Sequence, residues 1–223
     1  MKTTFLLLII TALFGHCEDN LEYHNGRKLV VEGKIVDKNN IGIPNTEIKV
    51  AFDKQTRYGY DYTEPGLGYT DGNGNFKLYT TSANNEDQII IIVNEGKMFD
   101  YQQKKLLNIK DADFSDYKFN IGTTMLYPID ELVSLKVIFQ RSSGSNDIIL
   151  ENVSFMGESS FYENYINPIE NYSYSEIFRY DGIFKNQNVN IQYDLRNTFT
   201  NTSTTETRNI SIEDLYKEEI IIY

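Results

Sequence analysis

The sequence predicts an all-β protein built as two β-sandwich domains in series, and three features of the chain predict it. The composition favours strands joined by polar turns: 17 Tyr and 13 Phe stand against 4 Pro and no Trp, with β-branched residues and Asn frequent. Short apolar segments of strand length recur along most of the chain, many of them alternating apolar with polar, the period of a sheet with one buried face. Clusters of Gly, Asn, Ser and Asp separate those segments where the chain must turn. A length of 223 residues suits two small domains, on a soft prior of ~100–200 residues each. A single continuous domain is the alternative.

The chain opens on a segment that belongs to neither domain. Lys2 supplies a positive start, and residues 5–14 are apolar apart from Thr11. Such a run matches the core of an export signal and falls well short of the roughly 20 residues that span a bilayer. Residues 1–16 therefore read as a signal peptide, and residues 17–28 as a cysteine followed by a polar tether, EDNLEYHNGRK. Cys17 is the only cysteine, so no intramolecular disulfide can form and stability must come from the core.

A signal peptide that stops at a lone Cys resembles that of a bacterial lipoprotein. Glu18 and Asp19 resemble the acidic pair that follows the lipidated Cys in surface-exported lipoproteins of the Bacteroidota. The resemblance implies that Cys17 carries diacylglycerol, that the chain is cut just before it, and that the new amino group is acylated. Several acyl chains at one point anchor firmly, where a single chain holds marginally. Phe14, Gly15 and His16 depart from the usual box, which starts on an aliphatic and ends on a small residue. The expected partner is thus a membrane, reached through an N-terminal lipid, and the expected location is the cell envelope, as an outer-membrane lipoprotein.

Residues 29–127 carry the first series of strand signals. LVVEGKIVD (29–37) is apolar-rich, with Val31, Gly33 and Ile35 on one face. KNNIGIPN turns the chain, and TEIKVAF (46–52) alternates Ile48, Val50 and Phe52. RYGYDYTEPGLGY (57–69) reads as a loop or an edge strand. YTDGNGNFKLYTT (69–81) sets a Gly/Asn turn between short strands. QIIIIVNEG (88–96) is a continuous apolar run, the mark of a central strand buried on both faces. YKFNIGTTMLYPI (117–129) closes the series.

Three segments in this order, VEGKIVD (31–37), GIPNTEIKV (42–50) and YTDGNGNFKL (69–78), resemble the carboxypeptidase regulatory-like domain, a transthyretin-like β-sandwich. Gly33, Gly42, Pro44, Thr70, Asp71, Gly74 and Phe76 match its pattern. The resemblance implies an architecture and a non-enzymatic spacer or accessory role. The same residues have physical readings: Gly42 and Gly74 permit positive φ in tight turns, Pro44 fixes φ before a strand, Asp71 accepts turn amides, and Phe76 points into the core.

Residues 128–223 form the second series. LVSLKVIF (132–139) alternates, and DIILENVSF (147–155) follows an SSGSN turn that suggests a hairpin. VNIQYDLR (189–196) alternates, TSTTE reads as a turn, TRNISI (207–212) returns, and EEIIIY (218–223) ends the chain. One buried and one solvated face per strand points to an antiparallel sandwich of immunoglobulin or fibronectin type.

Charge and residue inventory exclude several functions. The formal net charge is -11; residues 1–16 hold one Lys and no acid, so the chain from Cys17 carries -12. That charge repels nucleic acid. From Cys17 onward the one histidine is His24, in the tether, so neither a histidine triad nor a Cys/His zinc site can be assembled on the folded part. Chemistry resting on two carboxylates stays open. Asp71-Gly72-Asn73-Gly74-Asn75 mimics the start of a calcium loop, but the sixth and twelfth places hold Phe76 and Ser82 instead of Gly and Glu, so the segment reads as a hairpin turn. No cofactor is expected.

The segment 157–182 crowds Phe161, Tyr162, Tyr165, Tyr172, Tyr174, Phe178 and Tyr180 into one connection. Tyr162, Tyr165, Tyr172 and Tyr174 are the candidate contacts for a protein or glycan partner; the alternative is that these rings cover the sandwich. The functional reading is a non-enzymatic, envelope-anchored binding or structural module. Beside it stand an accessory subunit or enzyme of surface glycan utilisation, and an adhesin or assembly subunit.

Overall fold

Sequence alternation becomes burial strand by strand. The computed structural model describes residues 28–56, 59–81, 88–96, 100–167 and 176–223. Cys17, the export signal, His24, Tyr172 and Tyr174 lie outside the described residues. The first half holds β1 (Lys28–Val36), β2 (Glu47–Thr56), β3 (Gly59–Tyr69), β4 (Asn75–Thr81), β5 (Gln88–Val93), β6 (Lys104–Ile109) and β7 (Lys118–Met125). The second holds β8 (Leu132–Gln140), β9 (Ile148–Met156), β10 (Glu163–Tyr165), β11 (Ile177–Phe184), β12 (Gln187–Asn197), β13 (Thr202–Ile212) and β14 (Lys217–Ile222). Short 3-10 turns at Asp111–Asp113 and Ile129–Glu131 are the helical elements described. The protein is all-β, folded as sandwiches.

In the first sandwich a three-stranded sheet, ordered β4-β1-β7, packs on a five-stranded sheet, ordered β10-β6-β5-β2-β3. Leu29, Val31 and Ile35 of β1 meet Ile48, Val50 and Phe52 of β2 and Ile89, Ile91 and Val93 of β5 in one apolar cluster. Burying each such side chain contributes about 1.5–3 kcal/mol. β5 lies between β6 and β2; Ile89 and Ile91 are buried on one face and Ile92 on the other, where Ile90 is half-buried, in keeping with its unbroken apolar run. β3, the tyrosine-rich stretch, is an edge strand of the same sheet.

The second sandwich packs the sheet β11-β8-β14 on the sheet β13-β12-β9. Leu135, Val137 and Phe139 of β8 face Val189, Ile191 and Tyr193 of β12, with Ile210 and Ile212 of β13 beside them. Phe139 centres the cluster, its ring edge-on to Phe178 at 5.7 Å and to Tyr193 at 4.9 Å between centroids.

Two expectations for this half are corrected. The SSGSN turn does not close a hairpin. β8 is the middle strand of its sheet, both its edges taken by β11 and β14, so β9 crosses to the other sheet and pairs with β12. The turn read into TSTTE lies earlier. Thr202–Thr205 are already in β13, where β-branched Thr suits an extended chain. Asn197 makes the turn instead, its Oδ1 accepting the Phe199 and Thr200 amides, with Asn201 at φ 54.

The spacing of Gly42-x-Pro44 and Thr70-Asp71-x-x-Gly74 has one cause: these residues meet in one corner. The Thr70 hydroxyl accepts the Thr46 amide at 2.9 Å and donates to the Ile43 carbonyl at 2.6 Å. Asp71 Oδ1 accepts the Asn73 and Asn75 amides. Gly74 has φ 80, the left-handed conformation its place in the turn requires. The expectation for Gly42 is corrected. It is needed for close approach and not for positive φ, since a Cβ there would stand 2.0 Å from the Asn73 carbonyl oxygen.

Candidate interaction surfaces

The tyrosine-rich connection has two fates. Its first part, from Glu158 to Asn167, is committed to joining the sandwiches. β10 lies parallel to β6 and forms the edge of the first sandwich's five-stranded sheet. The Lys105 amide donates to the Tyr162 carbonyl at 2.7 Å, and the Ile166 amide to Leu107 at 2.9 Å. Gln102, fully buried, donates through Nε2 to the Ser160 carbonyl at 2.8 Å and accepts the Tyr127 amide on Oε1 at 3.1 Å. Asn108 and Asn167 each donate a side-chain amide to the other's backbone carbonyl at 2.8 Å. Asn167 also donates to Asp113 at 2.7 Å.

The same segment is held to the second sandwich. The Ser160 amide donates to Gly182 at 2.7 Å, and the approach is so tight that a Cβ on Gly182 would stand 2.3 Å from the Ser160 oxygen. Tyr127 and Phe184 stack edge to face across the connection, and Lys38 pairs with Glu131 beside it. This end of the second sandwich is therefore closed against the first.

Tyr162 is half-buried in this joint. Burial, and then the carboxylate of Asp181, push its phenol above the usual tyrosine range. Tyr165, the last residue of β10, is 48% exposed. The structure thus separates the two described candidates: Tyr162 sits in the joint and Tyr165 opens to solvent. Phe161 and Tyr180 pack with Phe155 on the second core, so part of the aromatic cluster covers the sandwich.

The opposite end of the second sandwich collects loops. The Phe139 amide donates to Glu176, where the chain returns after the second part of the tyrosine segment. The Tyr223 amide donates to Gln140, and the Ser142 amide to Tyr223. The Thr198 amide donates to Asp147 at 2.7 Å, tying the β12–β13 turn to the 141–147 loop. At the tip of that turn Phe199 is 87% exposed. Sequence reading missed Phe199; the available signal was a lone aromatic inside the polar turn Thr198–Asn201. It also missed Gln102, because nothing in the sequence distinguishes a buried Gln from a surface one.

No group of His, Cys, Asp and Glu able to hold a metal ion occurs among the described residues. The Asp71 carboxylate is engaged by its own loop, which holds it below the usual carboxylate range through the Asn75 amide first and the Asn73 amide second. Among the described residues no helix is long and apolar enough to cross a membrane.

Fold and surfaces together define the class: an all-β sandwich protein with a joined end and a loop-bearing end. No family model matches the chain, and no curated protein matches it. Solved structures give distant likenesses. The shaft pilin SpaA of Lactobacillus rhamnosus GG is 7% identical, over 88% of this chain and 97% of that one, with a TM-score of 0.30. The 3-chlorocatechol 1,2-dioxygenase of Rhodococcus opacus is 14% identical, over 46% of this chain and 60% of that one, at 0.31. A 9R-lipoxygenase of Cyanothece is 20% identical over 44% of this chain, at 0.28, and the chain spans 16% of its length.

Proposed function

We propose that this protein is a non-enzymatic binding module of a bacterial envelope, anchored through lipid on Cys17, with recognition carried by the loop end of its second sandwich. The first sandwich, on its resemblance to carboxypeptidase regulatory-like domains, is the spacer next to the tether. One observation carries the reading: the second sandwich is closed at one end by the Glu158–Asn167 joint, while hydrogen bonds gather loops 141–147 and 198–201, Glu176 and Tyr223 at the other. A module fixed at one end and bearing an 87% exposed Phe at the other is arranged to present that end. A bare aromatic ring on a supported turn favours contact with a flat partner face, of a sugar ring or a protein.

A glycan array with the protein and its Phe199→Ala variant tests this. The expected result is binding to a subset of glycans, lost in the variant while its melting temperature is unchanged. Equal binding by both would move recognition away from this end, and no binding by either would restrict the partner to a protein.

A further inference from the structure

Edge strands expose unpaired backbone donors and acceptors, and folded proteins blunt them with bulges, Pro, Lys or short length. Seven edge strands of the four sheets do so. β3 bulges against β2 around Pro65, β7 bulges against β1, β9 bulges against β12, and β11 bulges at Gly182. β10 is three residues long, β4 carries Lys77, and β14 is six residues long and begins on Lys217.

β13 lacks a bulge, Pro, Lys and short length, and charge is its one such device. It is eleven residues long and pairs with β12 in unbroken register from Thr202 to Ile212. Residues 202–209 are exposed on both faces. It contains no Pro and no Lys, and its outer edge makes no backbone hydrogen bond to any other described segment. It does carry two charges, Glu206 and Arg208. Arg208 already donates to Glu219 of β14 at 2.7 Å, yet its side chain is 56% exposed and keeps a free side.

We infer that β13 is a self-pairing edge, joining a second copy of this chain antiparallel about a two-fold axis at Thr207. The spacing of the charges carries the inference. In that register Glu206 faces Arg208 of the second copy, and Arg208 faces its Glu206, so two opposite-charge cross-strand pairs form at once. Thr207 meets Thr207, and Thr205 meets Asn209. Sliding the centre by one residue either way sets Glu206 against Glu206 or Arg208 against Arg208, which like-charge repulsion opposes. A two-fold contact of this kind closes after one addition and yields a dimer. The inference goes beyond the reading given above and rests neither on the anchor nor on Phe199.

Sedimentation equilibrium of the full chain carrying Cys17→Ser tests it. The expected result is a dimer, with Glu206→Arg and Arg208→Glu each monomeric and an equimolar mixture of the two dimeric again, because mixing restores both charge pairs. A monomeric parent, or a dimer that persists in both single variants, would overturn it. Arg208→Glu also disturbs the contact with Glu219, so a crosslink gives an independent reading. Thr207→Cys in the same chain should form an intermolecular disulfide on mild oxidation, and Ser203→Cys, which faces Ser211, should not. Equal crosslinking at both positions would also overturn the register.

Discussion

At the residue scale the protein is organised by short polar side chains that satisfy backbone groups in tight corners. Asp71 and Asp37 do the same work in different loops. Asp71 Oδ1 accepts the Asn73 and Asn75 amides, and Asp37 Oδ1 accepts those of Asn39 and Ile41. In both, hydrogen bonds to the ionised carboxyl lower its pKa. The sign follows from linkage. A carboxyl whose folded value lies below its unfolded one stabilises the fold fully above the unfolded value, roughly pH 4, and the stabilisation is lost as pH falls through the folded value. Asp71→Ala should therefore melt below the parent at neutral pH, and the gap should narrow as the pH is lowered from about 5 to 2. Thermal melts across that range check it; a constant gap would mean that the carboxylate's charge contributes nothing. Asp71 was legible in the sequence as a turn residue, because an Asx turn is local. Its partner Thr70 was legible only as part of a motif, since its bonds to Thr46 and Ile43 span residues far apart in sequence.

At the element scale the decisive piece is the segment Glu158–Asn167. It leaves the second sandwich, completes a sheet of the first as β10, and is fixed by Gln102, Asn108 and Asn167. Gln102→Leu keeps the volume but strands the Ser160 carbonyl and the Tyr127 amide, each at a cost of about 1–3 kcal/mol if left unsatisfied. The expected outcome is a lower melting temperature together with faster deuterium exchange at the Lys105 and Ile166 amides. Unchanged exchange there would mean that the joint does not depend on Gln102. The strands themselves were legible, because alternation and the isoleucine run of β5 follow directly from which face is buried. Their pairing was less so. β8 and β9 read as a hairpin because adjacency in sequence is the best local guide, whereas the competition for the edges of β8 is settled by β11 and β14, which come later in the chain. The TSTTE stretch read as a turn because Ser and Thr are polar, although β-branching suits Thr to the exposed strand β13.

At the scale of the whole molecule the proposed function has two poles: a lipid proposed at Cys17 and a loop cluster around Phe199. The first is an expectation read from a hydrophobic run and a lone Cys, which need no tertiary information, and Cys17 lies outside the described residues. Sequence reading named Tyr162, Tyr165, Tyr172 and Tyr174 as candidate contacts beside the alternative that the rings cover the sandwich; among the described residues Tyr162 lies in the joint, Tyr165 is exposed, and Phe161 and Tyr180 pack on the second core. The aromatic count of the segment carried no information on which rings are used internally. A module fixed at its anchor and presenting the far end depends most on the anchor itself. Intact-mass spectrometry of the protein recovered from envelope membranes tests this most directly. The account predicts a mature chain beginning at Cys17 and carrying the added mass of diacylglycerol and an N-acyl group; an unmodified N-terminus would contradict it.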